Sequence, residues 1–445
     1  MTAPKHLAIA SVLACLLAAP ARGATDIRID HVTIISPERT SPQRDALVII
    51  HDGRIAVIST GKANDSAPPG TKVIDGRGLF LTPGLIDSHV HLDEIPGMTA
   101  EQEASHPDIA RETRDQIPRS YLLHGFTTLI DLASAPQNMA KWKSRDLTPD
   151  TYFCGGAALM DGYPMAFAPK PERYRVMPYM LIEAGSEPPP GIDPALHTPS
   201  AVVARMKADG AICVKTYFER GFGPMKNLPV PKAETIRDVI RAAHAAGLPV
   251  LMHANAAEAQ AFGVAAGVDI LAHGLWNGPP DTTTSSVAEI LDGVVAKNIG
   301  WQPTIQVLYG ERDLFDPSFL SDPALARALP QSLLDWYRTP EGQWFHDILA
   351  DEMQTKDKDA ATAQAQISKN FAKPIGRVHG RRRLSRLPWR AAAVWDGHAQ
   401  RADLCQPARS QRLAGNAAPG GIGRDAGADI QGRNPVQRPG AETGS

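Results

Sequence analysis

Four histidines set beside short apolar runs are where this 445-residue chain could do chemistry. His89 and His91 follow the run Leu85-Ile86 after a Pro83-Gly84 turn. Residues two apart on a strand point to one face, so both imidazoles can reach one metal ion. His253 stands at the end of PVLMHA and His273 at the end of DILAHG. Imidazole is the commonest neutral nitrogen ligand for Zn and similar divalent ions. A lone His-x-His is a weak signal, and a single strand-end histidine is more often a structural residue. Four at the ends of three strands point to a shared metal. His51, His106, His124, His197, His244 and His346 have no such placement and read as solvated or capping residues.

These residues need strands to carry them. Residues 26–80 alternate short apolar runs with turns, and Asp52-Gly53 between two runs predicts a tight hairpin. This is a small β-sheet domain, bounded at 24–80. From 81 the pattern becomes strand, helix, strand, helix: LIDSHVH, FTTLIDLAS, TYFCGGAALM, AICVKTYFE, LPVLMHA, DILAHG and IGWQPTIQVL, with helices near 200–209, 232–246, 256–267 and 285–297. Such alternation predicts βα units on a parallel sheet. With seven strands countable, an α/β chain built as a (β/α)8 barrel, incomplete at strand 8, is the leading architecture over 81–374. An open doubly wound sheet is the alternative, but no glycine fingerprint opens any unit. Residues 309–372 are helix-like, either a lid or plain packing.

The string LTPGLIDSHVHLDE at 81–94 resembles the first barrel strand of the amidohydrolase superfamily, whose members carry P-G-x-I-D-x-H-x-H there. The order His89-x-His91, Lys215, His253, His273 follows that family's metal ligands and is most similar to its imidazolonepropionase-like and prolidase-like branch. The resemblance implies a sandwich-type N-terminal sheet completed from the C-terminus, and a barrel whose chemistry sits at the C-terminal ends of its strands. It also implies that Lys215, which otherwise reads as a strand-end surface lysine, is a carbamate bridging two divalent metals. Two such ions share a hydroxide, lower its pKa and polarise the carbonyl under attack, which is what amide hydrolysis needs. Imidazoles and a carbamate oxygen suit Zn best, with Mn, Co and Fe also admitted. Tyr217 and Arg220, just past Lys215, could polarise a substrate carbonyl and hold a carboxylate, respectively. Trp301 and Gln302 are further pocket candidates.

A formal net charge of -2 and no basic block argue against nucleic acid and toward a small-molecule or dipeptide-like substrate. Residues 1–23, with Lys5 ahead of an apolar run from Leu7 to Ala19 and small residues after it, read as a secretory signal peptide, too short to span a bilayer. An exported, periplasmic or secreted protein follows. Cys15 lies inside that run. Cys154 and Cys213 read as buried small apolar residues, with nothing in the sequence to place them within bridging distance. Oligomeric state is not legible.

The family pattern ends with a strand-8 aspartate in a G-[ST]-D string, expected around 380–400, and none is present. Asp396 is the in-frame candidate, but its surroundings fail the motif. From about 375 the chain has twelve Arg, no Lys and no Phe or Tyr, without strand or helix period. The segment 375–445 reads as a disordered tail or as a shifted reading frame. Codons for Val394–His398, read one base later, can spell Phe-Gly-Thr-Asp. Three functions follow: a metal-dependent C–N hydrolase, a catalytically impaired relative lacking the strand-8 aspartate, or an exported small-molecule binding protein without metal.

Overall fold

The computed structural model describes residues 26–60, 69–145, 147–168, 173–174, 177–222, 225–276 and 287–379. The expected leader at 1–23, Asp396 and the tail from 380 lie outside these residues. The chain divides into two compact units, with the break between Pro83 and Gly84.

In the first unit, β1 (Ile27–Ile34), β2 (Gln43–His51), β3 (Arg54–Thr60) and β4 (Lys72–Asp75) form a sheet in the order β3-β2-β1-β4, and β5 (Phe80–Leu81) also pairs with β1. The β2–β3 hairpin turns on Asp52 and Gly53, with φ of 49° and 73°, the left-handed pair that a two-residue turn needs. Val32, Ile34, Ala46 and Val48 form the buried cluster of this unit. The described residues make one sheet. The second layer of a sandwich is not among them.

The second unit is a parallel sheet of seven strands in chain order: β6 (Leu85–Val90), β7 (Phe126–Asp131), β8 (Asp150–Ala157), β9 (Cys213–Tyr217), β10 (Val250–His253), β11 (Ile270–Ala272) and β12 (Gly300–Gln302). Helices α1 (Ala100–Ser105) and α2 (Pro107–Leu123) connect β6 to β7, and α3 (Pro136–Lys143) connects β7 to β8. Then α4 (Pro199–Ala208), α5 (Ala233–Ala245), α6 (Ala257–Ala266) and α7 (Val287–Ala296) each precede the next strand. Alternation along the strands separates two apolar layers. Val214, Val250, Met252 and Leu271 join the helix-facing core with Val203, Met206, Ile236 and Val239. Cys213 and Leu251 instead meet Leu132 and Cys154 on the other face.

The sheet is curled. No backbone pairing joins β6 to β12 among the described residues, yet Gln302 of β12 donates from Nε2 to the Ser88 Oγ and carbonyl of β6 at 3.0 and 3.3 Å. First and seventh strands can meet through side chains only if the sheet bends round an axis. This is the α/β, TIM-like arrangement, with the eighth strand expected in a part of the chain outside the described residues.

Two expectations are corrected. The run IGWQPTIQVL is not one strand: β12 stops at Gln302, Pro303 has no N–H for the ladder, Thr304 turns at φ 42°, and α8 (Ile305–Asp313) begins. Cys154 and Cys213 are aligned partners on β8 and β9, with Cα atoms 4.4 Å apart, and form a disulfide. Their separation of 59 residues in sequence hid a direct neighbour relation that only the strand register creates.

After α8 come α9 (Gln331–Trp336), α10 (Trp344–Glu352) and α11 (Ala360–His379), the last continuing past the boundary expected at 375. Phe319, Leu325, Leu333 and Tyr337 of this segment pack with Ile95, Met98 and Ala110 in a second core. Tyr337 Oη donates to the Pro96 carbonyl at 2.7 Å and Trp344 Nε1 to the Gly97 carbonyl at 2.8 Å. Those contacts describe packing against the β6–α1 loop.

Closing a 59-residue separation should stabilise the fold by about 4 kcal/mol in the chain-entropy account. Non-reducing peptide mapping should recover Cys154 and Cys213 in one linked peptide, and reduction should lower the melting temperature. Two free thiols in folded, oxidised protein would contradict the bridge.

Candidate metal centre

Alternation on β9 turns Cys213, Lys215 and Tyr217 to one face, and on β10 it turns Leu251 and His253 to the same interior. Lys215 sits in the middle of β9, two residues before its end, and is 1% exposed. Its Nζ has no hydrogen-bond partner. His89, near the end of β6, and His253, the last residue of β10, are also buried.

His273 lies one residue past β11. By strand alternation it would follow Leu271 toward the helices, but its φ of 77° reverses the chain locally and its ring joins the interior set. A left-handed backbone at a non-glycine residue is a strained feature that surrounding structure must hold. The His273 ring centroid lies 4.4 Å from that of His253 and 4.9 Å from that of His89. His91, just past β6, is more open: its ring is 5.9 Å from His89, and Nδ1 is 3.9 Å from Asp131 Oδ1.

Hydrogen bonds orient these rings. His89 Nδ1 donates to Gln302 Oε1 at 3.2 Å, because the Gln302 amide nitrogen is committed to Ser88. His89 Nε2 is then the lone-pair nitrogen, buried and without a partner. His273 Nδ1 lies 2.9 Å from Thr304 Oγ1, and His253 Nε2 lies 3.3 Å from Glu219 Oε2. Second partners of this kind set ring tautomer and direction at metal sites.

Burial keeps the imidazoles neutral. It pushes His89 and His273 well below the ordinary histidine range, helped by Lys215 and the neighbouring rings. His253 is lowered by burial against the opposing pull of Glu219. Burial alone brings the Lys215 ammonium down to about 7. Asp131 is pushed up to about 7 by burial, although Ala133 and Leu92 N–H groups donate to its carboxylate. A set of neutral imidazoles around a readily deprotonated amine can bind cations and can let the amine act as a nucleophile.

Tyr217 is buried, and its hydroxyl has no hydrogen-bond partner. Gly156 faces it closely: a Cβ there would stand 3.0 Å from Tyr217 Oη. Arg220, expected beside it as a carboxylate clamp, is half exposed and forms a two-point pair with Glu258 at 2.7 and 3.1 Å. Trp301 is buried in the helix-facing core. Glu219, Thr304 and Asp131 escaped the sequence reading. Glu219 was within its reach, since it continues the every-second-residue series 213, 215, 217. At the surface of the first unit, Asp26, His51 and Asp52 also offer ligand atoms within 4.8 Å of one another. There His51 and Asp52 are exposed, and His51 already pairs with Asp26 at 2.9 Å.

Residues 80–279 match the model of the amidohydrolase family. A dihydroorotase of Solibacter usitatus is 27% identical over 220 residues, 49% of this chain and 40% of that protein. An imidazolonepropionase of Idiomarina loihiensis is 54% identical over 50 residues, 11% of this chain and 12% of that one. The chain thus spans less than half the length of these curated relatives. A crystal structure of a Xaa-Pro dipeptidase with bound methionine superposes with a TM-score of 0.49 at 19% identity, covering 88% of this chain and 84% of that one. Over residues 80–279 the chain is thus similar to the amidohydrolase family.

In metal-free protein the Lys215 amine titrates at about 7, while in the unfolded chain it keeps its ordinary value of 10.5. Between those values the unfolded state binds the extra proton, so stability rises with pH across the window, and below it the full penalty stands. Lys215→Met, of similar volume, should therefore be more stable than the parent, with the larger gain at about pH 6 and the smaller near about pH 10. Urea unfolding of EDTA-treated proteins measures this. A parent as stable as the variant at about pH 6 would mean that the amine has a partner after all.

Proposed function

We propose that the chain is an exported, metal-dependent hydrolase of C–N bonds in small amides, lactams or dipeptide-like molecules. The observation that carries the reading is the Lys215 amine, buried without a partner in one interior with the His89, His253 and His273 imidazoles. Divalent metals are general in the family, and the donor set fits them: neutral rings, an unpartnered Nε2 on His89 and an unpartnered Nζ on Lys215. His89, His91, Lys215, His253 and His273 would hold two ions, Zn by preference, with Lys215 as the bridging carbamate. Bound there, the ions would supply a nucleophile from water at neutral pH and polarise the carbonyl under attack.

The chain's own residues do the rest. Lys215, increasingly neutral as the pH rises above about 7, can attack carbon dioxide through Nζ and release a proton, which converts an amine into an anionic ligand. Gln302 and Thr304 hold the Nδ1 side of His89 and His273. The Tyr217 hydroxyl, buried and without a hydrogen-bond partner, would donate to the oxygen that becomes negative as the C–N bond is attacked. The Cys154–Cys213 bridge supports an oxidising compartment, in keeping with the leader-like residues 1–23.

A second reading, a catalytically impaired relative, is favoured by the absence of a G-[ST]-D string after 374. The frame-shift account reconciles the two: the native locus should encode Phe-Gly-Thr-Asp in place of Val394–Gly397, and the chain as written should be insoluble or inactive. Resequencing decides the coding question. A soluble, active product from the unshifted frame would refute the structural half.

The hydrolase is tested with N-acyl amino acids, Xaa-Pro dipeptides and cyclic amides on metal-loaded protein from the native gene. At least one class should turn over. Lys215→Ala should lose activity by on the order of 100-fold or more, with partial rescue by short carboxylic acids that replace the carbamate. Full activity in Lys215→Ala without rescue would leave Lys215 no role at the site.

A further inference from the structure

A run of aromatic rings leads from the protein surface to the histidine cluster. Phe222, 39% exposed, lies with its ring 5.0 Å from Phe167 and 6.0 Å from Tyr163. Tyr163 is partly buried and in turn covers His253, centroid to centroid 4.7 Å, and meets Tyr217 at 5.8 Å. Phe167 closes the group at 5.7 Å from Tyr163. The rings come from two loops, one after β8 and one after β9, at the strand ends where the candidate ligands stand. At the head of the first loop, the Asp161 carboxylate accepts from Arg173 Nη1 and Tyr174 Oη, each at 3.0 Å, so its charge is compensated away from the rings.

We infer that Tyr163, Phe167 and Phe222 form the specificity wall of this site, selecting substrates with an aromatic or large apolar group next to the scissile C–N bond; the inference rests on the hydrolase reading above. A fully buried aromatic cluster would need no explanation beyond packing. This one grades from an exposed ring to a ring tilted over His253, so its solvent-facing side is apolar where a substrate would enter. A flat apolar group laid on it gains area burial and ring–ring contact that a small polar group does not. Polar recognition is left to Tyr217 and the metal ligands, which is the division of labour common in small-molecule sites.

The test uses metal-loaded protein from the native gene and two matched pairs that place the ring on either side of the amide. The pairs are N-acetylphenylalanine with N-acetylserine, and phenylacetylglycine with acetylglycine. In at least one pair the aromatic member should have a kcat/KM higher by on the order of tenfold or more. Phe222→Ala, at an exposed position that does not threaten folding, should raise KM for the aromatic member more than for its small partner and so erase most of that preference, and Phe222→Trp should retain it. No preference in either pair, or an equal loss for both members in Phe222→Ala, would overturn the wall. If neither member of any pair turns over, the hydrolase reading is judged separately on Xaa-Pro dipeptides and cyclic amides, and calorimetric titration judges the wall alone. Tighter binding of the aromatic acid, weakened by Phe222→Ala, supports it, and equal binding overturns it.

Discussion

The amine of Lys215 is the constraint on which the second unit's interior depends. An ammonium group cannot stay charged in an apolar interior without a partner, and this one has none, so burial brings it down to about 7. The same burial keeps His89, His253 and His273 neutral. Hydrophobic side chains of the same size would pack there at lower cost, so the arrangement stores destabilisation in the place where lone pairs are concentrated. Positive φ at His273 adds a second local cost to the same place.

Everything around that interior holds it together. Curling of the parallel sheet brings Gln302 of the seventh strand against Ser88 and His89 of the first, so the orientation of the His89 ring on one edge is set by the other. Beneath Lys215, the Cys154–Cys213 bridge ties β8 to β9 one alternation step down the interior face. The helix-facing layer, with Val214, Met206 and Val239, holds the strands from outside.

What was legible in the sequence follows from range. Period-two and period-3.6 patterns are local, so the strand order, the helices after β9 and the turn at Asp52-Gly53 could be read directly. His89, His253 and His273 were recognisable because a strand end is itself a local signal. The pairing of Cys154 with Cys213 was not, since it depends on the register of β8 against β9. The Gln302–His89 contact spans 213 residues and exists only because the sheet curls. The pairing of Arg220 was hidden for a similar reason: its partner, Glu258, sits on a helix 38 residues on. Lys215 reads from sequence as the last residue of its strand, but the strand runs to Tyr217 and the whole of it is buried.

The most direct test is elemental analysis of folded protein expressed from the native gene, beside Lys215→Met purified in the same way. The account expects two divalent ions per chain in the parent and loss of at least one in the variant, with the fold retained in both. A folded parent that holds no metal after gentle purification, or a variant that keeps the full complement, would contradict it.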